Sequence, residues 1–327
     1  MAVPSLRGAI LAAADSATVR RVVTRHGMRL GARRFVAGET ADDLLAVARR
    51  ANGEGFAVSA TFLGESIRDA TETAAVRDEY CALLRRFAEG RLDATVAFKL
   101  THLGLDIDPA LALENAARIA STAPECGSSV RMDMEQSHYV DETLRIYRVL
   151  RERHTDVGCA LQAYLHRSRG DLAALLPLAP HMRIVKGAYL EPASVAYANK
   201  SDVDENYVRL VELALSGDGY TAIATHDRKI IEQATAGAER RRLPKRGRFE
   251  FELLYGIGEQ IGRELLQRGY RVRLLISYGE YWFPYLMRRL AERPANLTFF
   301  LKNALRRPST EFIPSGVEGL RVTKGGE

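Results

Sequence analysis

Two adjacent arginines near the end of the chain could together hold an anion. Arg288 and Arg289 follow Tyr285 by about one helical turn in the stretch YWFPYLMRRLAE, residues 281–292. Wound as a helix, this stretch has an aromatic and cationic stripe and an apolar back. Each guanidinium offers planar, bidentate donors and keeps its charge, so the pair suits a carboxylate or a phosphate. The alternative is an exposed helix in which Arg288 and Glu292 form an ordinary ion pair.

Three further cations lie elsewhere in the sequence. Lys99, Arg183 and Lys186 each stand inside or directly after a short apolar run. If the fold brings them near the arginine pair, the resulting site calls for anions, namely the carboxylate of a substrate and the phosphates of a cofactor. The chemistry therefore depends on an architecture that gathers residues far apart in the chain.

The elements that must position these residues are short strands alternating with helices. From Phe56 onward, runs rich in β-branched or apolar residues are separated by longer stretches with helical periodicity. This alternation implies parallel strands joined by right-handed crossovers. Eight units favour an α/β fold of the closed (β/α)8 type, a TIM-like barrel, because closure removes both edges of the sheet. The predicted strands are residues 56–62, 94–100, 129–134, 157–163, 182–187, 221–225, 247–254 and 270–276.

The barrel divides the chain into three predicted segments. Residues 1–52 form a helical amino-terminal segment, 53–310 the barrel and 311–327 a tail. Charged side chains in barrel strands are costly unless they reach the wet mouth at the carboxyl ends, where barrel enzymes place their chemistry. We therefore expect the polar residues at the strand ends to converge there, with the helix after the eighth strand folded over them. They are Glu65, Lys99, Asp133, Gln162, Lys186, Thr225, His226, Asp227 and Glu252.

Composition excludes several classes of protein. Of the 327 residues, 46% are hydrophobic and 27% charged, which is typical of a soluble globular protein. No apolar run reaches the roughly 18 residues needed to span a bilayer, and the amino terminus is a poor secretory signal, so a cytoplasmic location is expected. Three separated cysteines, Cys81, Cys126 and Cys159, argue against a disulfide framework or a zinc cluster. The net charge is +6, but the basic segments have no interleaved aromatic residues and the sequence has no zinc-finger spacing. Nucleic acid is therefore not an expected partner.

A metal site is the main alternative for the mouth. Asp133, His226 and Asp227 could supply ligands, since barrel hydrolases collect His and Asp from strand ends. Against a metal, the sequence has no His-x-His pair, and the Lys and Arg residues predicted at the mouth would repel a divalent cation.

Six motifs occur in order along the chain. They are VAFKLTHLGLD (96–106), VRMDMEQS (130–137), RIVKGAYLEP (183–192), IATHD (223–227), FEFELLYGIG (249–258) and FPYLMRRLAERPANL (283–297). As a set they resemble the motifs of FAD-dependent proline dehydrogenases, most closely the short monofunctional bacterial kind. The resemblance implies a distorted (β/α)8 barrel with FAD at the carboxyl ends of the strands and the last helix above it.

The resemblance also implies roles for individual residues. Arg183, near the reactive N5 atom of the flavin, and Asp133 on the third strand are the expected catalytic residues. Arg288 and Arg289 match the pair that grips the substrate carboxylate, and Lys99 matches the lysine that assists them. Further substrate-pocket matches are Tyr285, Leu254, Ala188 and Tyr189, with Glu65 as a gating acid that pairs with Arg288. The expected cofactor contacts are Gln162, Arg183, Lys186, Gly187, Thr225, His226, Asp227, Glu252 and Glu292.

The implied chemistry needs orientation more than reactive groups. A hydride leaves the carbon next to the ring nitrogen for flavin N5, so that carbon must be held within about 3 to 3.5 Å of the flavin. Cations that fix the carboxylate supply this orientation, and cationic donors near the flavin stabilise its reduced, anionic form. No nucleophile or strong general base is needed once the amine is neutral.

Four positions depart from the family pattern. Leu275 stands where the family has Tyr, Ser277 where it has Pro, Glu252 where it has Gln, and Thr61 where it has Asp. Loss of a phenol from the pocket makes room for a substituted or differently sized ring. An ionised Glu252 beside the flavin would lower its potential. The simpler interpretation is drift within an ordinary proline dehydrogenase.

Three functions are therefore weighed. The first is flavin-dependent oxidation of proline, with a ring-modified proline or another cyclic amino acid as its variant. The second is a metal-dependent barrel hydrolase, and the third is a non-catalytic barrel that binds a ligand. For the first function the resemblance implies a quinone as electron acceptor and transient contact with a membrane surface.

Overall fold

The computed structural model describes residues 32–64 and 66–292, without the side chains of Arg288, Leu290, Ala291 and Glu292. The first part of the predicted amino-terminal segment (1–31), the predicted end of the barrel at residue 310 and the predicted tail 311–327 lie outside these ranges.

Eight parallel strands close into one barrel, which confirms the fold class predicted from the alternating pattern. They are β1 (Ala57–Phe62), β2 (Ala94–Phe98), β3 (Val130–Met132), β4 (Val157–Gln162), β5 (His181–Val185), β6 (Tyr220–Ala224), β7 (Phe249–Leu254) and β8 (Val272–Tyr278). Each strand pairs with its sequence neighbours, and β8 returns to pair with β1 from Ala57↔Arg273 to Phe62↔Tyr278. Every strand begins and ends within two residues of its predicted limits.

Helices surround the barrel and pack apolar faces on the outside of the strands. Those in the described part of the chain are α1 (Ala41–Gly53), α2 (Ala70–Glu89), α3 (Pro109–Glu125), α4 (Val140–Arg151), α5 (Ser168–Leu175), α6 (Lys200–Ser216), α7 (Arg228–Arg240), α8 (Glu259–Gln267) and α9 (Trp282–Glu292). Local sequence sets their starts: Thr40 and Asp43 form a reciprocal capping box at α1, and Asp227 caps α7. The described helices include none with the length and apolar character to cross a membrane.

The interior of the barrel contains ion pairs in place of the branched aliphatic side chains that usually fill this space. Arg131 on β3 lies 3.3 Å from Glu250 and 2.5 Å from Glu252, both on β7. Arg273 on β8 donates to Glu250 at 2.8 Å and to the carbonyl of Val58 at 2.7 Å. All four charged side chains are buried. Arg131, Glu250 and Arg273 are therefore charged side chains inside the barrel, each with its own partner there.

Helix α9 docks on a small apolar cluster separate from the main core. Trp282, Phe283, Leu286 and Met287 are buried there, together with Ala32, Phe35 and Val36 from the amino-terminal side of the chain. The Trp282 indole N–H donates to Glu39 at 2.8 Å. The same segment is tied to β8 by the N–H of Ala37 bonded to the carbonyl of Ser277 at 2.9 Å. Chain before the barrel therefore supports the helix that carries the arginine pair.

Candidate active site at the mouth of the barrel

Polar side chains from consecutive strands end at one rim. Lys99 directly follows β2, Asp133 follows β3, Lys186 follows β5 and Thr225 follows β6, while Gln162 is the last residue of β4. Because all eight strands run parallel, these positions share the carboxyl end of the barrel. Sequence position alone therefore places these side chains around one opening.

Arg183 is the most heavily bonded side chain at this opening. Its Nη1 atom donates to Asp133 Oδ1 at 2.5 Å, its Nε atom to Glu252 Oε2 at 3.0 Å, and its Nη2 atom to the Ser59 hydroxyl at 3.2 Å. Nη2 also lies 2.7 Å from Glu252 Oε1. The guanidinium is 3% exposed, so these contacts fix it in a single orientation. The two predicted catalytic residues, Arg183 and Asp133, are thus brought together as an ion pair.

Two carboxyl groups sit close to Lys99. Burial raises the pKa of Asp133 above its usual value, although Arg183 and Lys99 act to lower it. Burial likewise raises the pKa of Glu135 to about 7, against hydrogen bonds from Thr101 and the charge of Lys99. Glu135 accepts from the Thr101 N–H at 3.1 Å and from its hydroxyl at 2.6 Å. Sequence reasoning missed Glu135, and its spacing two residues after Asp133 was the available signal.

Gln162 is held by its amide nitrogen. Nε2 donates to the backbone carbonyls of Met134 and Glu135, each at 3.2 Å, and this assigns the orientation of the amide. Its Oε1 atom is buried and has no hydrogen-bond partner among the described residues. A buried acceptor of this kind normally has a partner. Gln162 is therefore set to accept a hydrogen bond from a bound molecule.

The rim beyond β5 and β6 carries a cluster of charges. Lys186 Nζ donates to Asp227 at 3.2 Å and also pairs with Asp204 on α6. Lys200 approaches the same two carboxylates. The predicted cofactor residues Lys186 and Asp227 thus contact each other, and a phosphate binding to Lys186 would compete with two carboxylates.

Backbone contacts fix the neighbouring predicted cofactor residues. His226 Nε2 accepts the N–H of Leu254 at 3.0 Å, so in the neutral ring Nδ1 carries the proton. The Thr225 hydroxyl accepts the N–H of Asp227 at 3.1 Å. Gly187 has φ +110°, and a Cβ there would lie 2.1 Å from the Tyr164 ring. Only glycine fits this point of the rim.

Helix α9 carries Tyr285 and Arg289, two of the predicted substrate-binding residues. The Arg289 guanidinium carbon lies 5.2 Å from the centre of the Tyr285 ring, within range of a cation–π contact. Tyr285 is buried, and its hydroxyl has no hydrogen-bond partner in the part of the chain that the structure describes. Of the other predicted pocket residues, Leu254, Leu275 and Tyr189 are half-buried and Ala188 is exposed. Three predicted side chains lie outside the described set, those of Glu65, Arg288 and Glu292.

Three of the four departures from the family pattern are neighbours. Thr61 on β1 pairs in register with Ser277 on β8, and Ser59 pairs with Leu275. The Ser277 hydroxyl is fully buried without a hydrogen-bond partner within the described ranges. The fourth departure, Glu252, lies inside the barrel between Arg131 and Arg183. Thr61, Leu275 and Ser277, which the resemblance marks as departures, therefore lie together on the paired strands β1 and β8.

The residues of the metal alternative are engaged in other contacts. Asp133 pairs with Arg183, Asp227 pairs with Lys186, and His226 Nε2 accepts a backbone N–H. Across residues 32–64 and 66–292, no group of three or more His, Cys, Asp or Glu side chains could hold a metal ion.

Comparison with known sequences identifies the family. A sequence model described as proline dehydrogenase matches residues 44–302. Proline dehydrogenase 1 of Bacillus subtilis strain 168 is 38% identical over 302 residues, covering 92% of this chain and 100% of that protein. The proline dehydrogenase of Deinococcus radiodurans is 38% identical over 305 residues, covering 92% and 98%.

Solved structures with the same barrel are longer proteins. Proline utilization A from Bdellovibrio bacteriovorus, inactivated by N-propargylglycine, superimposes with a TM-score of 0.75 at 24% identity, over 84% of this chain and 34% of that one. Proline utilization A from Corynebacterium freiburgense gives 0.71 at 22% identity, over 92% and 34%. This chain thus corresponds to about a third of each, and the likeness shows the fold alone. With a family match over residues 44–302 and relatives matched over nearly their whole length, the chain belongs to the proline dehydrogenase family.

Proposed function

We propose that this protein oxidises L-proline to 1-pyrroline-5-carboxylate, with FAD as the hydride acceptor and a quinone as the final acceptor of electrons. The observation that carries the proposal is the convergence of Lys99, Asp133, Gln162 and Arg183 at one barrel mouth in a chain of the proline dehydrogenase family. These residue types suit an anionic substrate beside a polar cofactor.

The side chains at the mouth fit FAD. The buried Oε1 atom of Gln162 needs a donor, and an N–H of the flavin ring provides one. Arg183 offers cationic donors from a fixed position, which suits a ring that becomes anionic on reduction. The rest of the cofactor would be held by residues of the neighbouring rim, namely Lys186, Gly187, Thr225, His226 and Asp227. Glu252 would contribute through Arg183, and Glu292 would contribute from α9. When bound, FAD supplies the hydride acceptor.

The chain itself binds and orients the substrate. Arg289, Arg288 and Lys99 would fix the carboxylate, so that the carbon beside the ring nitrogen faces the cofactor site. The ring of the substrate would be enclosed by Tyr285, Leu254, Leu275, Ala188 and Tyr189. Glu65 would close the site by pairing with Arg288. Asp133 keeps Arg183 in place through the 2.5 Å ion pair. The amine must be neutral for hydride loss, and no side chain is required as a nucleophile.

Anaerobic mixing with L-proline tests this function. The purified protein should show the absorption of oxidised flavin, which should bleach on addition of L-proline, while D-proline should leave it unchanged. A soluble quinone analogue should then restore the colour. Flavin that stays oxidised with L-proline and with ring-substituted prolines would contradict the proposal.

A ring-substituted proline is the second candidate substrate. It is favoured by the neighbouring departures at Leu275, Ser277 and Thr61: Leu275 is smaller than the Tyr of the family pattern, and the buried Ser277 hydroxyl has no partner among the described residues. Comparing bleaching rates with L-proline and 4-hydroxy-L-proline tests the idea. Leu275→Tyr should then slow the substituted substrate at least tenfold relative to proline, because a phenol refills the space. An unchanged ratio between the two substrates excludes this candidate.

The electron acceptor determines where the protein works. A quinone dissolved in a bilayer implies that a cytoplasmic protein touches the membrane surface transiently. Co-sedimentation with quinone-containing vesicles during proline turnover tests this contact. Reoxidation at the same rate by vesicles and by a water-soluble quinone analogue would remove the need for it.

A further inference from the structure

Strand β7 places two glutamates inside the barrel, two residues apart and on the same face. Glu250 and Glu252 are both buried and both pair with Arg131. Beyond this shared partner they differ, since Glu250 bonds Arg273 whereas Glu252 bonds Arg183. The two carboxylates are therefore matched in burial and charge but differ in whether they touch the arginine at the mouth.

Glu252 contacts Arg183 along one edge of the guanidinium. Its Oε2 atom accepts from Arg183 Nε at 3.0 Å, and its Oε1 atom lies 2.7 Å from Nη2. The Nη1 atom, away from this edge of the guanidinium, donates to Asp133. A two-point contact fixes both the position and the plane of the guanidinium, as a single contact cannot.

We propose that Glu252 is a positioning residue for the reaction: it holds the Nε and Nη2 edge of Arg183 and offsets its charge, so that the guanidinium keeps one orientation at the cofactor site. The inference rests on the proposed function for the identity of that cofactor. The structure places the carboxylate of Glu252 against two guanidiniums, those of Arg131 and Arg183.

The charge on Glu252 has a predictable effect on the flavin. Replacement by Gln leaves Arg183 and Arg131 with one fewer negative charge in a buried site, where charges act strongly because screening is weak. The extra positive charge near the ring stabilises its reduced, anionic form. Glu252→Gln should therefore make the flavin easier to reduce.

Equilibrium reduction of the flavin measures this effect without any substrate. Glu252→Gln should favour the reduced flavin at least tenfold, equivalent to about 30 mV for a two-electron couple. The matched control Glu250→Gln should change the equilibrium by less than threefold, since Glu250 does not contact Arg183. Equal shifts in the two variants would overturn the proposal, because the effect would then be one of total interior charge.

An Arg183→Met background shows whether Glu252 acts through Arg183. In that background Glu252→Gln should change the flavin equilibrium by less than threefold, so that the two substitutions are not additive. A full tenfold effect there would overturn the proposal. With proline, Glu252→Gln should lower kcat more than it raises KM, because the cations that fix the carboxylate are other residues.

Two safeguards keep the test decisive. If the Gln variant does not fold, Glu252→Asp replaces it, which retains the charge but is one methylene shorter. Glu252→Asp should lower kcat at least fivefold more than Glu250→Asp. An equal loss of kcat in both variants would overturn the proposal. The flavin titration uses no proline. A parent protein that binds FAD but is not bleached by proline would contradict the proposed function while leaving the test of Glu252 intact.

Discussion

Arg289 lies over the ring of Tyr285, one helical turn apart on α9, with 5.2 Å between the guanidinium carbon and the ring centre. The ring restricts where the guanidinium can go, and the burial of Tyr285 restricts the ring. The contact thereby restricts a flexible side chain, which would reduce the ordering cost if Arg289 binds an anion as proposed.

Replacing this guanidinium should weaken substrate binding. Arg289→Lys keeps the charge but loses the planar pair of donors, and a hydrogen bond to a charged group contributes about 1.5–3 kcal/mol. KM for proline should rise about 10- to 100-fold with a much smaller change in kcat, because the carboxylate contact exists before and during hydride transfer. Steady-state kinetics measure both constants. Arg228→Lys, at an exposed pair with Glu264, is the control and should leave KM unchanged.

The buried hydroxyl of Tyr285 should matter for binding and not for folding. It has no hydrogen-bond partner among the described residues, so Tyr285→Phe removes a polar group whose burial is uncompensated. The midpoint of thermal unfolding should stay equal or rise, while KM for proline rises about 2- to 10-fold. Tyr207→Phe gives the opposite control, because that hydroxyl donates to the Ile184 carbonyl at 2.7 Å and its loss should lower the midpoint. A lower midpoint for Tyr285→Phe would contradict the assignment.

Gly187 should not tolerate a side chain. Gly187→Ala forces a Cβ to within 2.1 Å of the Tyr164 ring at φ +110°, and such backbone strain alone costs about 1–3 kcal/mol. Both the free energy of unfolding and the affinity for FAD should fall, as measured by urea denaturation and by titration of the flavin-free protein. Gly170→Ala, inside α5 with nothing near its Cβ, should instead stabilise the fold by up to about 1 kcal/mol. Equal stability of the Gly187 variant and the parent would refute the strain.

Glu135 should make stability depend on pH. Its pKa is raised from 4.5 to about 7 by burial, so the folded state binds the proton more tightly than the unfolded state. The stability that the protonated form provides is present at low pH and is lost as pH rises from about 4.5 to about 7. Glu135→Gln removes this loss.

Unfolding at pH 5 and at pH 8 distinguishes a raised pKa of Glu135 from an unshifted one. Relative to the parent, Glu135→Gln should be more stable at pH 8 than at pH 5, by up to roughly 3 kcal/mol for a shift of this size. Urea denaturation at the two pH values gives the difference. Lys99 and Asp133 remain in both proteins, so the comparison isolates the carboxyl group of Glu135 together with its interactions with these two charges. The same difference at both pH values would contradict a raised pKa.

The strands were predictable because a parallel barrel buries them on both faces. Runs such as VGCALQA and TAIAT are short, apolar and separated by helical periodicity, and β4 and β6 lie where those runs are. Polar residues at the strand ends were predictable for the same reason, since a parallel sheet sends every carboxyl end to one rim.

The partners of the charged residues were not predictable from spacing. Arg131 meets Glu252 across 121 positions of sequence, and Arg183 meets Glu252 across 69. Strand periodicity says that Glu250 and Glu252 share a face, but only the closure of the barrel decides which guanidiniums they reach. The resemblance assigned Lys186 to a cofactor, whereas its pairing with Asp204 depends on how α6 lies over the rim.

Trp282 is the only tryptophan in the chain, and it is the first residue of α9, fully buried against the segment that precedes the barrel. Indole fluorescence from this protein therefore reports on one place, the contact between α9 and the segment that precedes the barrel. A shift of that emission to longer wavelengths, at constant circular dichroism, would report the helix swinging away while the strands stay closed. Trp282 is therefore an intrinsic fluorescent probe of the displacement of α9 from the barrel.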